Sequence, residues 1–271
     1  MTSLKLHKFD MSSIKDHSII VLIGKRGTGK SYLVRDFLYH KQDIPVGTVV
    51  SPTEKMNKYF SHFVPPIFIH EEYTPRLVSN VLKRQSDIIR KKQSGEYGED
   101  VDERAFLIFD DCLFDDSWAK DKNMRCIFMN GRHYKLTFIL TMQFPLGVKP
   151  HLRTNIDYVF ILRENIVSNR RRIYEHYAGM FPTFDIFCKI MDQCTENYEC
   201  LVIHNNAKSN KIEDQVFWYK AEMHDDFRLG SDNFWNYNNE YYDEEDDGED
   251  EVDLNTYGRK NKFHIDVKKI E

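Results

Sequence analysis

A lysine and a serine directly follow a glycine-rich stretch near the start of the chain, in the order Gly24-Lys25-Arg26-Gly27-Thr28-Gly29-Lys30-Ser31. The spacing fits the Walker A pattern G-x-x-x-x-G-K-[ST]. Glycines let such a loop approach phosphate oxygens, because no Cβ stands in the way, and its N–H groups form an anion-binding nest. Lys30 would reach the β- and γ-phosphates of a nucleotide, and the Ser31 hydroxyl would ligate Mg²⁺. The alternative is a glycine-rich loop that only opens a helix.

Three further polar residues stand at the ends of apolar runs. Asp110 and Asp111 follow the run 105–109, and Gln143 follows the run 136–142. A buried strand that ends in two carboxylates has the form of a Walker B motif. Asp110 would then hold the Mg²⁺ shell and Asp111 would orient or activate the attacking water, while Gln143 would sense the γ-phosphate. The alternatives are an exposed Asp-Asp turn and an ordinary loop glutamine.

Hydrophobic periodicity predicts the elements that would position these residues. Strands are predicted at residues 4–9, 19–23, 46–50, 64–70, 105–110, 136–142, 156–162, 199–204 and 215–219. Helices are predicted at residues 32–39, 75–93, 118–130, 169–177 and 184–193. Such alternation predicts an α/β fold with three layers and a largely parallel central sheet, the RecA/ASCE-like architecture of P-loop NTPases. A nucleotide would bind at the carboxyl edge of the strands.

The acidity of the chain is concentrated near its end. The net charge of the 271 residues is −5, yet residues 240–253 contain ten acidic and no basic residues. A segment of this composition cannot bury a core. The composition therefore predicts a P-loop ATPase domain at residues 1–225 and an acidic, largely disordered C-terminal tail at residues 226–271.

Cysteine usage and hydropathy exclude several classes of protein. The five cysteines form no C-x-x-C pair, which suits a reducing compartment and argues against a zinc site. The chain contains no run of 18 apolar residues, and its first 15 residues lack the apolar core of a signal peptide. We therefore expect no membrane span.

Several stretches together resemble the genome-packaging ATPases of large DNA viruses, in the poxvirus-type branch of the FtsK–HerA class. The resemblance is carried by residues 22–31, 106–112, 124–143, 150–162 and 169–182. It implies a motor that hydrolyses ATP with Mg²⁺ in a homo-oligomeric ring and drives double-stranded DNA into a capsid. Capsid or portal proteins would be its partners. The host cytoplasm, at the site of virus assembly, and the virion would be its locations.

The resemblance also implies roles for individual residues. Lys30 and Ser31 would hold phosphate and Mg²⁺, Asp110 would support the metal, and Gln143 would be the sensor. Asp111 stands where the wider class often has glutamate, so it lies one methylene further from the water that it would activate. The class uses an arginine from a neighbouring subunit, for which we favour Arg153 or Arg163. Other candidates are Arg132, Arg170, Arg171 and Arg172.

Three other functions compete with this interpretation. A small-molecule or nucleoside kinase has the same Walker A loop, and a DNA-stimulated ATPase that needs no acceptor would exclude it. A helicase or AAA-type ATPase would require a C-terminal helical lid, which the residues after 184 do not show. A nucleotide-dependent assembly scaffold would bind ATP without hydrolysing it.

Overall fold

Strands and helices alternate along the chain in the computed structural model, which describes residues 4–112 and 118–243. Its strands are β1 (His7–Lys8), β2 (Ile19–Ile23), β3 (Gly47–Val50), β4 (Ile69–His70), β5 (Ala105–Asp110), β6 (Leu136–Met142), β7 (Tyr158–Ile161), β8 (Glu199–His204) and β9 (Val216–Lys220). Its helices are α1 (Lys30–Tyr39), α2 (Glu54–Asn57), α3 (Pro75–Gln93), α4 (Lys122–Asn130), α5 (Pro150–Arg153), α6 (Val167–Tyr177), α7 (Phe184–Cys194), α8 (Ile212–Gln215) and α9 (Asp232–Tyr241).

The nine strands form a single sheet in the order β1-β9-β8-β7-β2-β6-β5-β3-β4. β2 lies at its centre and pairs in parallel with β6 on one side and β7 on the other. β8 runs antiparallel to both β7 and β9. The carboxyl ends of β2, β5, β6 and β7 therefore meet at one edge of the sheet, together with the start of β8.

Helices cover both faces of this sheet. Side chains of β2 alternate between two cores, with Val21 in one and Leu22 in the other. The first core also contains apolar residues of α3, α4, α6 and α7, and the second contains those of α1 and α9. All five residues of β2 are buried, as expected for a parallel strand covered on both faces. The predicted three-layer, largely parallel α/β fold is confirmed.

The structure corrects three of the predicted elements. The strand predicted at residues 4–9 is reduced to His7–Lys8. Of the strand predicted at residues 64–70, only Ile69–His70 pairs with β3, because Pro65 and Pro66 have no N–H groups for a ladder and Pro66–Phe68 form a 3₁₀ turn. The helix predicted at 118–130 begins at Lys122, where the Asp121 carboxylate caps it. The helix α3 agrees with prediction, and its Thr74 hydroxyl accepts from the N–H of Leu77 at 3.1 Å. No helix in the described part of the chain is long and apolar enough to cross a bilayer.

The predicted domain boundary at residue 225 lies too early. Phe227, Leu229 and Phe234 are buried in the second core. The ring of Phe234 stacks on that of Phe68, with centroids 4.4 Å apart. Residues 226–243 therefore belong to the folded domain, while the prediction of a disordered acidic tail now concerns residues 244–271, outside the described residues.

A buried carboxylate joins α1 to the segment that follows β9. Asp36 is fully buried and accepts from the Tyr219 hydroxyl at 2.7 Å and the Glu222 N–H at 3.0 Å. The Nε2 atom of His224 lies 2.6 Å from its other oxygen. These contacts satisfy both oxygens and hold residues 219–224 against the helix that follows the glycine-rich loop.

Asp36→Ala should destabilise the protein by about 3 kcal/mol, because buried donors such as the Tyr219 hydroxyl lose their acceptor. Thermal unfolding should show a fall in Tm of roughly 6–12 °C. Glu222→Ala is the matched control, since the exposed Glu222 contributes only its backbone N–H to this contact, and its Tm should change little. Equal Tm values for Asp36→Ala and the wild type would show that the carboxylate does not hold the segment.

Candidate active site

Residues 24–29 connect β2 to α1 and carry the Walker A pattern. A Cβ built on Gly24 would lie 2.6 Å from Thr28 Oγ1 and 2.8 Å from Leu162 Cβ, so only glycine fits there. Gly29 precedes α1 with a φ of +102°, a conformation that favours glycine. Because Gly29 has no side chain to cap α1, the first N–H groups of this helix are available to an anion.

The Lys30 side chain turns back into the loop. It is 6% exposed, and its Nζ donates to the carbonyl oxygen of Gly24 at 2.8 Å and to that of Lys25 at 3.3 Å. The same Nζ lies 3.2 Å from Asp111 Oδ2. The ammonium group is therefore held between the loop backbone and a carboxylate at the end of β5.

Asp110 is the last residue of β5 and is almost completely buried. Its Oδ1 accepts from the Thr141 hydroxyl of β6 at 2.7 Å. Burial raises the pKa of Asp110, and the neighbouring charge of Asp111 raises it further, although the Thr141 hydrogen bond acts in the opposite direction. The surrounding protein thus opposes ionisation of Asp110, whereas a bound cation would favour the ionised form.

Asp111 has a left-handed backbone, with φ at +48°. Its N–H donates to Thr141 Oγ1 at 3.0 Å, and its Oδ2 accepts from Gln143 Nε2 at 3.1 Å. Its Oδ1 is buried and has no hydrogen-bond partner within residues 4–112 and 118–243. Lys30, Asp111 and Gln143, which sequence reasoning proposed separately, therefore form one group, in which Asp111 Oδ2 is ion-paired with Lys30 and hydrogen-bonded to Gln143.

The residues at this edge fit a nucleotide with Mg²⁺. Mg²⁺ prefers oxygen ligands, and the edge offers the Asp110 carboxylate and the Ser31 hydroxyl in the first turn of α1. The unpartnered Asp111 Oδ1 is a further acceptor at the same edge. An ammonium, a free helix start and carboxylates together suit a phosphate–metal pair better than either ion alone.

Two supporting residues were missed by sequence reasoning. Glu164, just beyond β7, forms an ion pair with Lys25 at 2.7 Å. Burial would raise the pKa of Glu164, but hydrogen bonds from Lys25, the Ile166 N–H and Asn169 outweigh it and hold the pKa below its usual value. Thr141 joins Asp110 to Asp111 through its hydroxyl. Its place near the end of the strand beside the Walker B strand was the indication in the sequence, although that strand contains a second threonine, Thr137.

The two favoured arginines lie in different surroundings. Arg163 is exposed just after β7, at the same sheet edge as the loop, and its Nε donates to Asn165 Oδ1 at 3.2 Å. Arg153 lies on α5, before β7 begins, with its guanidinium 5.6 Å from the centre of the Tyr177 ring. The structure places Arg163 at the sheet edge that carries the loop, whereas Arg153 lies on α5 against Tyr177 of α6.

Two basic runs, on α3 and α6, could offer positive charge to DNA, but their side chains make contacts of their own. On α3, Arg90, Lys91 and Lys92 form ion pairs at 3.4, 3.2 and 2.6 Å. On α6, Arg170 pairs with Asp192 at 2.6 Å, and Arg171 lies 4.3 Å from the centre of the Phe184 ring. These contacts partly neutralise the charge that either helix could offer to DNA phosphates.

Asp110→Asn should raise the Tm of the nucleotide-free protein at pH 7. Because the pKa of Asp110 is raised, its carboxyl group binds a proton more tightly in the folded than in the unfolded chain. Ionised Asp110 therefore lowers the free energy of unfolding at pH values above its ordinary pKa of 3.8. Asparagine can still accept from the Thr141 hydroxyl. The gain should shrink as the pH falls towards that value, and thermal unfolding at several pH values measures it.

Asp87→Asn on the exposed face of α3 is the control for removing one acidic charge. A Tm of Asp110→Asn below that of the wild type at pH 7 would show that hydrogen bonds to the charged carboxylate outweigh its burial.

Comparison with known sequences places this site in a family. The family model described as "Poxvirus A32 protein" matches residues 6–217. Uncharacterized protein L437 of Acanthamoeba polyphaga mimivirus is 43% identical over 243 residues, which cover 89% of this chain and 85% of that protein. Uncharacterized protein 088R of Invertebrate iridescent virus 3 is 38% identical over 245 residues, covering 84% and 91%.

Comparison with solved structures supports the fold. The genome packaging NTPase B204 of Sulfolobus turreted icosahedral virus 2, solved with AMP, superposes with a TM-score of 0.53. It is 16% identical and covers 77% of this chain and 100% of its own. At this identity the match shows a shared architecture and nothing more.

Proposed function

The chain belongs to the Poxvirus A32 protein family, a family of viral packaging ATPases, and from this premise we propose that it is an ATP-driven motor that moves double-stranded DNA into a viral capsid. One observation carries the catalytic part of the proposal. A connected polar group, made of Lys30, Asp111 and Gln143, lies at the sheet edge where the first N–H groups of α1 can bind an anion. Motion along DNA and assembly into a ring are inferred from the family.

The phosphate-binding residues act before hydrolysis. When bound, ATP would supply the phosphoryl group, and Mg²⁺ would supply positive charge next to its phosphates. The loop N–H groups and the start of α1 hold the phosphates, while Lys30 exchanges its backbone acceptors for phosphate oxygens. Ser31 and Asp110 would hold the metal, and its positive charge would offset the cost of ionising the buried Asp110.

Asp111 and Gln143 act on the attacking water. Oδ1 of Asp111 is buried and lacks a hydrogen-bond partner among the described residues, so it would accept from the attacking water once nucleotide binding opens it to water, while Oδ2 stays paired with Lys30. The left-handed backbone of Asp111 turns its short side chain at the strand end. Gln143 would sense the γ-phosphate through its hydrogen bond to Oδ2, because both groups would compete for its amide.

Assembly and partners complete the proposal. In a homo-oligomeric ring the exposed Arg163 would reach the nucleotide of a neighbouring subunit and stabilise the charge that develops there. Arg153 is the second candidate, but its contact with Tyr177 would have to break first. From the viral family we also infer the partners, which are double-stranded DNA and capsid or portal proteins. The same family suggests the host cytoplasm and the virion as locations.

The test is the ATPase rate of the full chain with and without long double-stranded DNA. Measurements at two salt concentrations and several protein concentrations separate the parts of the proposal. A DNA motor should be stimulated by DNA, lose stimulation as salt rises, and gain rate steeply with protein concentration. Lys30→Ala controls for contaminating ATPases.

Other results would favour the competing functions. Turnover that ignores both DNA and protein concentration would contradict the motor. Turnover only with a phosphoryl acceptor would indicate a kinase. ATP binding without turnover under all conditions would indicate an assembly scaffold.

A further inference from the structure

The turn between α7 and β8 reaches the same sheet edge as the Walker A loop. β8 runs antiparallel to β7, with Leu201 paired to Ile161, so β8 starts where β7 ends. Residues 195–198 precede that start. They therefore lie beside the loop of residues 24–29 on its β7 side, whereas Asp110, Asp111 and Gln143 lie on its β6 and β5 side.

Tyr198 is the side chain that this turn presents to the loop. A Cβ built on Gly29 would lie 3.6 Å from Tyr198 Cδ1 and 3.9 Å from Leu162 Cδ2. The tyrosine nevertheless remains 68% exposed. One edge of its ring thus lies next to Gly29, which precedes α1, and most of the ring faces solvent next to the place where phosphates would bind.

The backbone holds Tyr198 in an unusual conformation. Asn197 and Tyr198 have φ angles of +51° and +65°. Asparagine tolerates this region, but for a bulky residue such as tyrosine it is uncommon and costly. The turn is fixed by the Glu199 N–H, which donates to the Glu196 carbonyl at 2.8 Å, and by the Thr195 hydroxyl, which donates to the Met191 carbonyl at 2.6 Å. The structure therefore keeps an exposed ring in place without the benefit of core packing.

We propose that the Tyr198 ring is the platform on which the purine base of the bound nucleotide stacks. The inference rests on the proposed function, in which the loop binds the triphosphate. Because Asp110, Asp111 and Gln143 surround the γ-phosphate end on one side of the loop, the nucleoside end leaves on the other. Tyr198 stands on that side, and bases commonly stack on aromatic rings.

The proposed contact also defines which nucleotides the site takes. Stacking uses the face of a base, and every base has one. ATP and GTP should therefore bind with similar strength through Tyr198. Pyrimidine nucleotides should bind more weakly, since they offer a smaller face to the ring.

The experiment compares a ligand that has a base with one that lacks it. Calorimetric titration of the full chain in the presence of Mg²⁺, with the non-hydrolysable analogue AMPPCP standing for ATP, gives the Kd of the nucleotide and that of inorganic tripolyphosphate. Tyr198→Ala should raise the Kd of ATP about 5- to 100-fold and leave that of tripolyphosphate unchanged, while Tyr198→Phe should keep both. Tyr97→Ala, in the loop after α3, is the control for removing a surface tyrosine.

A second variant guards against misfolding. Tyr198→Gly removes the ring but suits the positive φ, so it should fold at least as well as the wild type and still lose ATP affinity. Unchanged ATP affinity in both variants, or an equal loss for ATP and tripolyphosphate, would overturn the proposal. A wild-type protein that binds neither ligand would instead contradict the proposed function itself, and this inference with it.

Discussion

Lys30→Ala should abolish ATP turnover, with a loss of at least about 100-fold, the effect of removing one preorganised charge-stabilising donor. The structure gives the reason, since the ammonium lies inside the loop, 2.8 Å from the Gly24 carbonyl and 3.2 Å from Asp111. Alanine removes the cation that would contact the phosphates and leaves the Asp111 carboxylate without its charged neighbour. Steady-state ATPase assays on the purified variant measure the loss.

The control for this prediction is Lys189→Ala, which removes an exposed lysine from α7. Its turnover should equal that of the wild type. Thermal unfolding of Lys30→Ala shows whether the variant is folded under the assay conditions. Wild-type turnover in a folded Lys30→Ala protein would contradict the assignment of the whole site.

Asp111→Asn should retain ATP binding and lose hydrolysis by about 10²- to 10⁴-fold, the usual contribution of a positioned acid or base. Asparagine tolerates the positive φ at this position, and its carbonyl can still accept from Gln143. The site should therefore keep its shape while losing the negative charge that would activate water. Nucleotide titration and ATPase assays on the same preparation separate the two effects.

A matched carboxylate outside the site completes this test. Asp87→Asn removes an exposed acid from α3 and should leave both binding and hydrolysis unchanged. Hydrolysis at the wild-type rate in Asp111→Asn would transfer the role of base to another residue. Loss of binding together with hydrolysis would mean that the charge of Asp111 is needed to position Lys30.

The sequence predicts this fold and site best where the position of a residue depends on its neighbours along the chain. The Walker A spacing identifies Lys30 and Ser31 because both follow from the path of one loop. Asp110, Asp111 and Gln143 could be found because a polar residue after a buried strand stands out, and parallel strands bring such residues to one edge. Their proposed roles remain predictions, but their proximity is now a structural fact.

Features that depend on distant contacts were missed. Tyr198 matters only because β8 runs antiparallel beside β7, and no motif marks that pairing. The Asp36–His224 contact joins residues 188 positions apart. Phe227 and Phe234 were assigned to a tail because the polar residues around them lower the average hydropathy, although each side chain is buried.

The central position of β2 has a consequence for synthesis of the chain. Its five aliphatic residues pair only with β6 and β7, and β7 is complete at Ile161. At the speed of the ribosome, roughly 7 to 28 s pass between the completion of β2 and the completion of β7. Both edges of this apolar strand lack their partners until β6 is made, and one edge lacks its partner until β7 is made, a state prone to aggregation. The nascent chain, rather than the finished protein, is therefore the stage at which this fold is most exposed to aggregation.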